Sequence, residues 1–444
     1  MQVEVSNRQI INIAGPICLS LILPQINHLT NAAFLGHLGE FPIAVNGIAG
    51  IYTLVIYMIS YGLTNGMQVM FARRTGEQNI GAMGSIFMNG LLLTMCMSVI
   101  GILVTQTLAP SFFRMSLHDP HIVEAASDFT RIRIWGLPFL MLMRLCTSLY
   151  IGTGNTRLLI TISLFQEVTN IVFDYGLIFG KLGMPALGLN GAAYASILAE
   201  IAGFVAAWGL LFMGKFQVKY KLFSILRPDW KGSRSILIIS APLVVQYLFS
   251  IGSWLIFFIF IEHLGQRPLA ISNMMRSIFG LFGIFTWALG SACNTMVSNL
   301  IGQGRENEVI PLIRKITVIS IICSTALCVL INIFPYLWLR IYTTDVTLMA
   351  DAIPSMHVCT LVMLLTAVAA VVFNGVTGTG NTRVNLGIEV LSVAVYLVYC
   401  FVVIEQMRSA LHWAWGAEFV YWTAMGSLAW FYLKSGRWKG KKLA

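Results

Sequence analysis

Twelve apolar stretches of about twenty residues divide this chain, near 10–35, 43–65, 84–109, 132–151, 158–180, 190–214, 236–261, 269–291, 313–335, 355–376, 386–404 and 413–433. Each is long enough to cross a hydrocarbon core and too long for a barrel strand. Inside lipid only a helix satisfies its own backbone hydrogen bonds, so the pattern predicts an all-α integral membrane protein with twelve spans. Composition points the same way. Of 444 residues, 57% are apolar and 10% charged, against about 25% charged in soluble domains. That charge cannot clothe a water-facing globule of this size, which excludes a soluble enzyme, a nucleic-acid-binding domain and a disordered chain. The eight cysteines lie in apolar stretches without paired metal-ligand spacing, so they read as buried free thiols. The first run lacks a basic leader and a small-residue cleavage site, so it reads as a retained span.

Lysine and arginine are unevenly shared between alternate loops. With the N-terminus taken as cytoplasmic, 19 fall in inside segments and 5 in outside loops, namely Arg114, Lys181, Arg267, Arg340 and Arg408. Cytoplasmic loops carry the basic excess in membrane proteins. Both termini are therefore expected in the cytoplasm, which requires an even number of spans. The densest basic groups are 215–235, with Arg227, and the tail, with Lys442. The net charge of +10 is thus a topology signal with no nucleic-acid partner implied, and the tail can also touch anionic lipid.

An internal repeat organises the spans. Gly-Thr-Gly-Asn-Thr-Arg occurs at 152–157 and again at 378–383, 226 residues later. The same shift pairs Pro16 with Pro242, the His-Leu-Gly at 37–39 with that at 263–265, Met70 with Met296 and Gly76 with Gly302, with no gap. Each half holds six spans, an even number, so both enter the membrane from the same side. The expected architecture is two parallel six-helix lobes, 1–214 and 236–433, related by a pseudo-two-fold axis along the membrane normal. A cytoplasmic linker, 215–235, and a basic cytoplasmic tail, 434–444, complete the chain. Two lobes flanking a cleft suit alternating access.

Ionisable groups inside a bilayer are costly and are functional candidates by default. The acids within spans are Glu167, Asp174, Glu200, Glu389 and Glu418. Glu167, Asn170 and Asp174 share one face of the fifth span, and Asn27 and Asn31 share one face of the first. Asn31 and Asp174 fall at similar depth in the outer half of the membrane. Such a cluster can bind a proton, and an organic cation would compete for the same negative charge, which is a physical basis for antiport. Asp174, Asn31, Asn170, Glu167 and Asn27 are the candidate coupling residues. Asn31, Asp174 and Asn27, with Ser196 and Glu200 of the sixth span, are the candidate substrate contacts. Shifted by 226, Asn31 becomes Phe257 and Asp174 becomes Cys400, so coupling is expected in the first lobe.

Structural roles compete with these. Asn27, His28 and Asn31 could be hydrogen-bonding glue between helices, and Glu167 could pair with Arg144. Glu389 and Glu418 read as lying nearer the membrane interfaces, and Arg276 as a snorkelling side chain or a counter-charge. Pro16 and Pro24 interrupt the ladder of the first helix, with Pro16 as the candidate hinge. Met58, Met67, Met141 and Met143 could line an adaptable cavity. No Walker sequence, metal set or catalytic constellation appears, so no cofactor or enzyme activity is expected.

The exit of the first span, Asn31-Ala32-Ala33-Phe34-Leu35-Gly36-His37-Leu38-Gly39, and the two Gly-Thr-Gly-Asn-Thr-Arg turns resemble multidrug and toxic compound extrusion (MATE) transporters, with the DinF-like branch the best fit. The resemblance spans essentially the whole chain. It implies a plasma (inner) membrane exporter of amphipathic organic cations, working as a monomer and driven by protons or sodium. Helices seven and ten lack the extra carboxylates that some members place there for sodium, which favours protons. The family pattern also implies aspartate where this chain has Asn31. An amide does not titrate near neutral pH, so coupling either rests on Asp174 alone or is impaired. A flippase for a lipid-linked intermediate and a sodium-coupled drug antiporter are the alternatives.

Overall fold

The computed structural model describes residues 2–117, 119–223 and 229–441; Arg227 and Lys442 lie outside them. The described residues are helical throughout, without strands. In order come α1 (Asn7–Gly36), α2 (Glu40–Gly76), α3 (Ile80–Ser116), α4 (Pro120–Arg133), α5 (Leu137–Gly152), α6 (Arg157–Phe179), α7 (Leu189–Met213) and the short α8 (Phe216–Lys219). Then follow α9 (Trp230–Glu262), α10 (Gln266–Gly302), α11 (Val309–Ile333), the short α12 (Pro335–Leu339), α13 (Val346–Gly378), α14 (Thr382–Cys400) and α15 (Leu411–Lys434). A 3-10 turn, Ile134–Gly136, joins α4 to α5, and a π-helical turn, Phe401–Gln406, extends α14. Counting α4–α5 as one stretch, ten helices are long and apolar enough to cross a membrane. The acid-bearing α6 and α15, of 23 and 24 residues, complete twelve.

Surface patterning is inverted relative to a soluble protein. On α3, Leu92, Met95, Val99 and Leu103 are exposed, whereas Gly90, Thr94, Ser98 and Thr105 are buried. Lipid is as apolar as leucine, so helices there associate through small and hydrogen-bonding residues. The hydropathy windows consequently end too early on α2 and α10. Both helices run about three turns further, through Gln68, Arg73 and Thr75 in one and Asn294, Thr295, Ser298 and Asn299 in the other, all buried. Arg73 and Arg74, expected in a loop, lie in the last turn of α2. All eight cysteines are free thiols, but Cys96 is exposed and Cys323 half-buried.

The chain divides into two compact units. One is Leu19–Ser240; the other combines Gln2–Cys18 with the chain from Ala241 onward. The divisions fall inside α1 and α9, within two residues of Pro16 and Pro242. Each unit therefore contains the opening residues of a helix that continues in the other. In the first unit Asn89, fully buried, donates to Asp229 Oδ1 (3.1 Å) and accepts from the Asp229 N–H (3.0 Å) and the Ser233 hydroxyl (2.9 Å). In the second, Asn299 Oδ1 accepts from the Val3 N–H (3.2 Å), Arg305 donates to the Val3 carbonyl (2.9 Å), and Lys315 to that of Val5 (2.9 Å). Positions 3 and 89 are the 226-shifted counterparts of 229 and 315, so the repeat extends to how these straps are tied. It also extends to backbone geometry. Gly39 and Gly265 both have φ of +114°, a value that glycine adopts without steric cost, at the turn after the first helix of each half.

Candidate functional site

The first unit gathers polar side chains from α1, α2, α4, α6 and α7. Along α6, Glu167, Asn170 and Asp174 are all buried, with Asp174 at 0% exposure. Asn31 Nδ2 donates to Asp174 Oδ2 at 3.2 Å, and Asn27 Nδ2 donates to Asn170 Oδ1 at 2.5 Å. The two asparagines are four residues apart, as are their partners, so one helical turn of α1 is zipped to one turn of α6. Below the zip, Phe34 meets Phe179 edge to face at 5.6 Å. Leu35 packs with Ala49, Phe129, Ile178, Ala192 and Ala193, which sets the depth of α1 against its neighbours.

One carboxylate oxygen of Asp174, its Oδ1, has no protein partner although it is buried. The same holds for Oδ1 of Asn31, Oδ1 of Asn27 and Nδ2 of Asn170. Buried polar atoms are normally paired. A cluster with one charge and several uncommitted acceptors and donors is suited to a small cation, a proton or water.

A second network stands beside it. Arg133, at the end of α4, forms an ion pair with Glu200 of α7 at 2.8 Å and also donates to the Tyr57 hydroxyl of α2. Tyr57 in turn donates to Glu200 Oε1 at 2.5 Å. The guanidinium of Arg133 stacks over the Tyr57 ring at 5.6 Å, and that of Arg144 over the Tyr61 ring at 5.5 Å. Gly136, in the 3-10 turn, makes room for this: a Cβ there would meet the Glu200 carboxyl, with Cδ at 2.9 Å. Arg133 is also within electrostatic reach of Asp174 and Glu167.

The structure thus brings together Asn27, Asn31, Glu167, Asn170 and Asp174. Glu200 is held by Arg133 and Tyr57, and Ser196 is half-buried one turn before it on α7. The pairing of Glu167 with Arg144 does not form. Arg144 goes to Tyr61, and among the described residues the buried ion pair of this unit is Arg133–Glu200. His28 is exposed. Arg276 stacks on Phe258 at 5.2 Å. Met67, Met141 and Met143 are buried packing residues rather than cavity walls; Met67 fills the space over Gly90 and Met143 that over Gly203. Glu389 and Glu418 are buried among their neighbours, at 1% and 3% exposure. Arg133 and Tyr57 were missed. An arginine just inside a span was a readable signal, whereas a tyrosine on an apolar helix carries none.

Twelve long helices in two units, ten of them long and apolar enough to cross a membrane, with a buried polar cluster in the first unit, define a polytopic membrane protein. The chain belongs to the MatE family, whose model matches it twice, over residues 16–176 and 242–402. The two matches are 226 residues apart, the period of the repeat. A Thermotoga maritima protein named "Probable multidrug resistance protein NorM" is 23% identical over 97% of this chain and 93% of its own length. "Probable multidrug resistance protein YoeA" of Bacillus subtilis is 21% identical over 74% of this chain and 72% of its own. Among solved structures, an aspartate-to-asparagine mutant of the Vibrio cholerae MATE transporter VcmN superposes with a TM-score of 0.89 at 16% identity, over 98% of this chain and 97% of that one.

Proposed function

We propose that this chain is a multidrug efflux transporter that exchanges amphipathic organic cations for protons, with the coupling site in the first unit. The observation that carries the reading is Asp174: wholly buried, hydrogen-bonded through one oxygen to Asn31, and without a protein partner at the other. An uncompensated buried carboxylate is expensive, so its charge is cancelled by whatever monovalent cation the open side supplies. A proton and a drug cation are then mutually exclusive occupants, and exclusivity is what antiport requires. Asn31, Asn27 and Asn170 supply neutral donors and acceptors that orient either occupant, while Glu167 adds a second acid two helical turns away on the same face of α6. Because Asn31 stands where the family pattern implies aspartate, the exchange runs on one carboxyl rather than two. Glu200 contacts substrate only through the position of Arg133, which it holds. Ser196 lies on the same face of α7.

Pro16 is the proposed hinge. It lies two residues from the point where α1 passes from one unit to the other, and its missing N–H removes a hydrogen bond from the ladder there. The domain scheme of two six-helix lobes, the plasma-membrane location, the cytoplasmic termini and a functional monomer belong to the same proposal. They rest on the basic-loop count and the repeat.

The test is pH-driven dye efflux from proteoliposomes. Asp174→Asn is expected to abolish it, and replacing sodium by choline to leave it unchanged. Undiminished efflux by Asp174→Asn would overturn the assignment. Flipping of an anionic lipid headgroup in the same vesicles, without dye movement, would favour the flippase alternative. For the hinge, Pro16→Ala should alter inward–outward exchange read by paired spin labels while dye affinity is kept.

A further inference from the structure

Two carboxyl groups of the second unit have no part in the function just described. Glu389 of α14 and Glu418 of α15 are both buried. Glu389 Oε1 accepts from the Tyr421 hydroxyl at 2.8 Å, with Ser250 of α9 as a second neutral neighbour. Glu418 Oε1 accepts from the Trp254 indole N–H at 2.8 Å and from the Tyr396 hydroxyl at 3.2 Å. The Tyr396 and Tyr421 rings meet edge to face, 5.7 Å between centroids, so two phenols connect the acids. The other titratable groups facing them are Cys359 of α13 and Cys400 of α14. Among the described residues no lysine, arginine or histidine is ion-paired with either acid.

The repeat sharpens the contrast. In the first unit the buried acid Glu200 is matched by Arg133. The position 226 residues after Arg133 is Cys359, and Cys359 faces Glu418. Glu200 itself maps to Gly426, so the second unit has lost that ion pair and carries a buried acid of its own at Glu418. A carboxylate that meets only neutral donors holds an uncompensated charge in a medium that penalises it. The neighbours select what can cancel that charge. Sodium and divalent ions need a shell of several oxygen ligands, whereas Glu418 faces an indole N–H, one phenol and two thiols, and Glu389 one phenol and one serine hydroxyl.

Asn385 provides an independent pointer. It is wholly buried, one helical turn before Glu389 on the same face of α14. Its amide nitrogen donates to Thr377 Oγ1 at 2.6 Å and to Gln246 Oε1 at 3.4 Å. Its Oδ1, also buried, accepts from no protein group. A carboxyl becomes a hydrogen-bond donor only when protonated, and here a buried acceptor without a donor lies one helical turn before one on the same helix. We propose that Glu389 and Glu418 form a second proton-binding site, in the second unit, with Asn385 accepting the acid proton of Glu389.

The test uses the full chain in detergent or lipid, with Asp174→Asn as background so that the first unit's acid is silent. Infrared difference spectra between acid and alkaline buffer are expected to retain a titrating carboxylic-acid carbonyl band. Glu389→Gln and Glu418→Gln should each remove one component, and proton uptake after a pH jump should fall by one per chain for each substitution. Spectra of the background and of the variant with both glutamines that superpose would overturn the proposal. If a glutamine variant does not fold, Tyr421→Phe and Tyr396→Phe leave both acids in place and remove a donor from each. A shifted carbonyl band is then expected, and an unshifted one refutes the site. Because the readout is proton binding rather than efflux, a failure of the Asp174 assignment and a failure of this one give different results.

Discussion

The Arg133–Glu200 pair makes a demanding prediction about stability. Glu200 has 3% of its side chain exposed and Arg133 15%, so solvent screens neither. Removing one member of a buried pair strands the other and costs about 3–5 kcal/mol, whereas replacing both with neutral groups is often close to neutral. Arg133→Gln and Glu200→Gln should each lower the thermal midpoint of the purified protein. For a unit of this size about 2–4 °C accompanies each kcal/mol, so the drop should be roughly 6–20 °C. The double variant should recover most of it, giving a coupling energy of roughly 2 kcal/mol or more. Cys146, Cys293 and Cys359 are buried free thiols, so a thiol-reactive fluorophore reports unfolding directly. Single losses that simply add in the double variant would show that the pair does not act as a unit, and the reasoning would fall.

Three further outcomes are expected. Asn31→Asp puts a second carboxyl one hydrogen bond from Asp174, so drug binding should release one additional proton per chain, and a release unchanged from the parent would refute the coupling geometry. Gly136→Ala forces the Glu200 carboxyl aside and should cost about 1–3 kcal/mol, read as a lower thermal midpoint; an unchanged midpoint would show that Glu200 is not confined there. Asp345 caps the first turn of α13, accepting from the Thr347 hydroxyl (2.7 Å) and from the N–H groups of Thr347 (2.8 Å) and Leu348 (3.2 Å). These bonds, the Thr347 hydroxyl first, hold its carboxyl below the ordinary aspartate range. A carboxyl lowered in the folded state contributes fully above its unfolded value, about 3.9, and loses that contribution as pH falls through the lower folded value. Amide exchange in this turn should therefore quicken only in strong acid, and Asp345→Asn, an equally good cap, should remove that dependence.

The fold was legible because a bilayer imposes length and apolarity on every span, and a gap-free repeat checks each half against the other. What hydropathy could not show is where polar residues are buried between helices. Gln68 and Asn299 look like loop residues in a window average, yet they lie in the interior of α2 and α10. The α1–α6 zip was readable because its residues recur at helical spacing on two spans. The Arg133–Tyr57–Glu200 network was not, since three separate elements supply one residue each and no local period marks them. Nor could hydropathy show that Glu389 and Glu418 are enclosed between helices. Distance from the end of an apolar window measures depth along one helix, not enclosure by its neighbours.

The exchanged opening segments bear on how such a chain arose and how it can be cut. A half severed at 215–235 would carry residues 2–18, which belong with the other half, and would lack 229–240, which belong with it. Each fragment lacks a segment that packs with it and carries one that packs with the other, whereas the two expressed together have both segments. An ancestor encoded as one six-helix chain would have met the same requirement only by trading its first turns with a second copy, a domain-swapped dimer. Fusion of the two genes would then have preserved an entanglement that already existed.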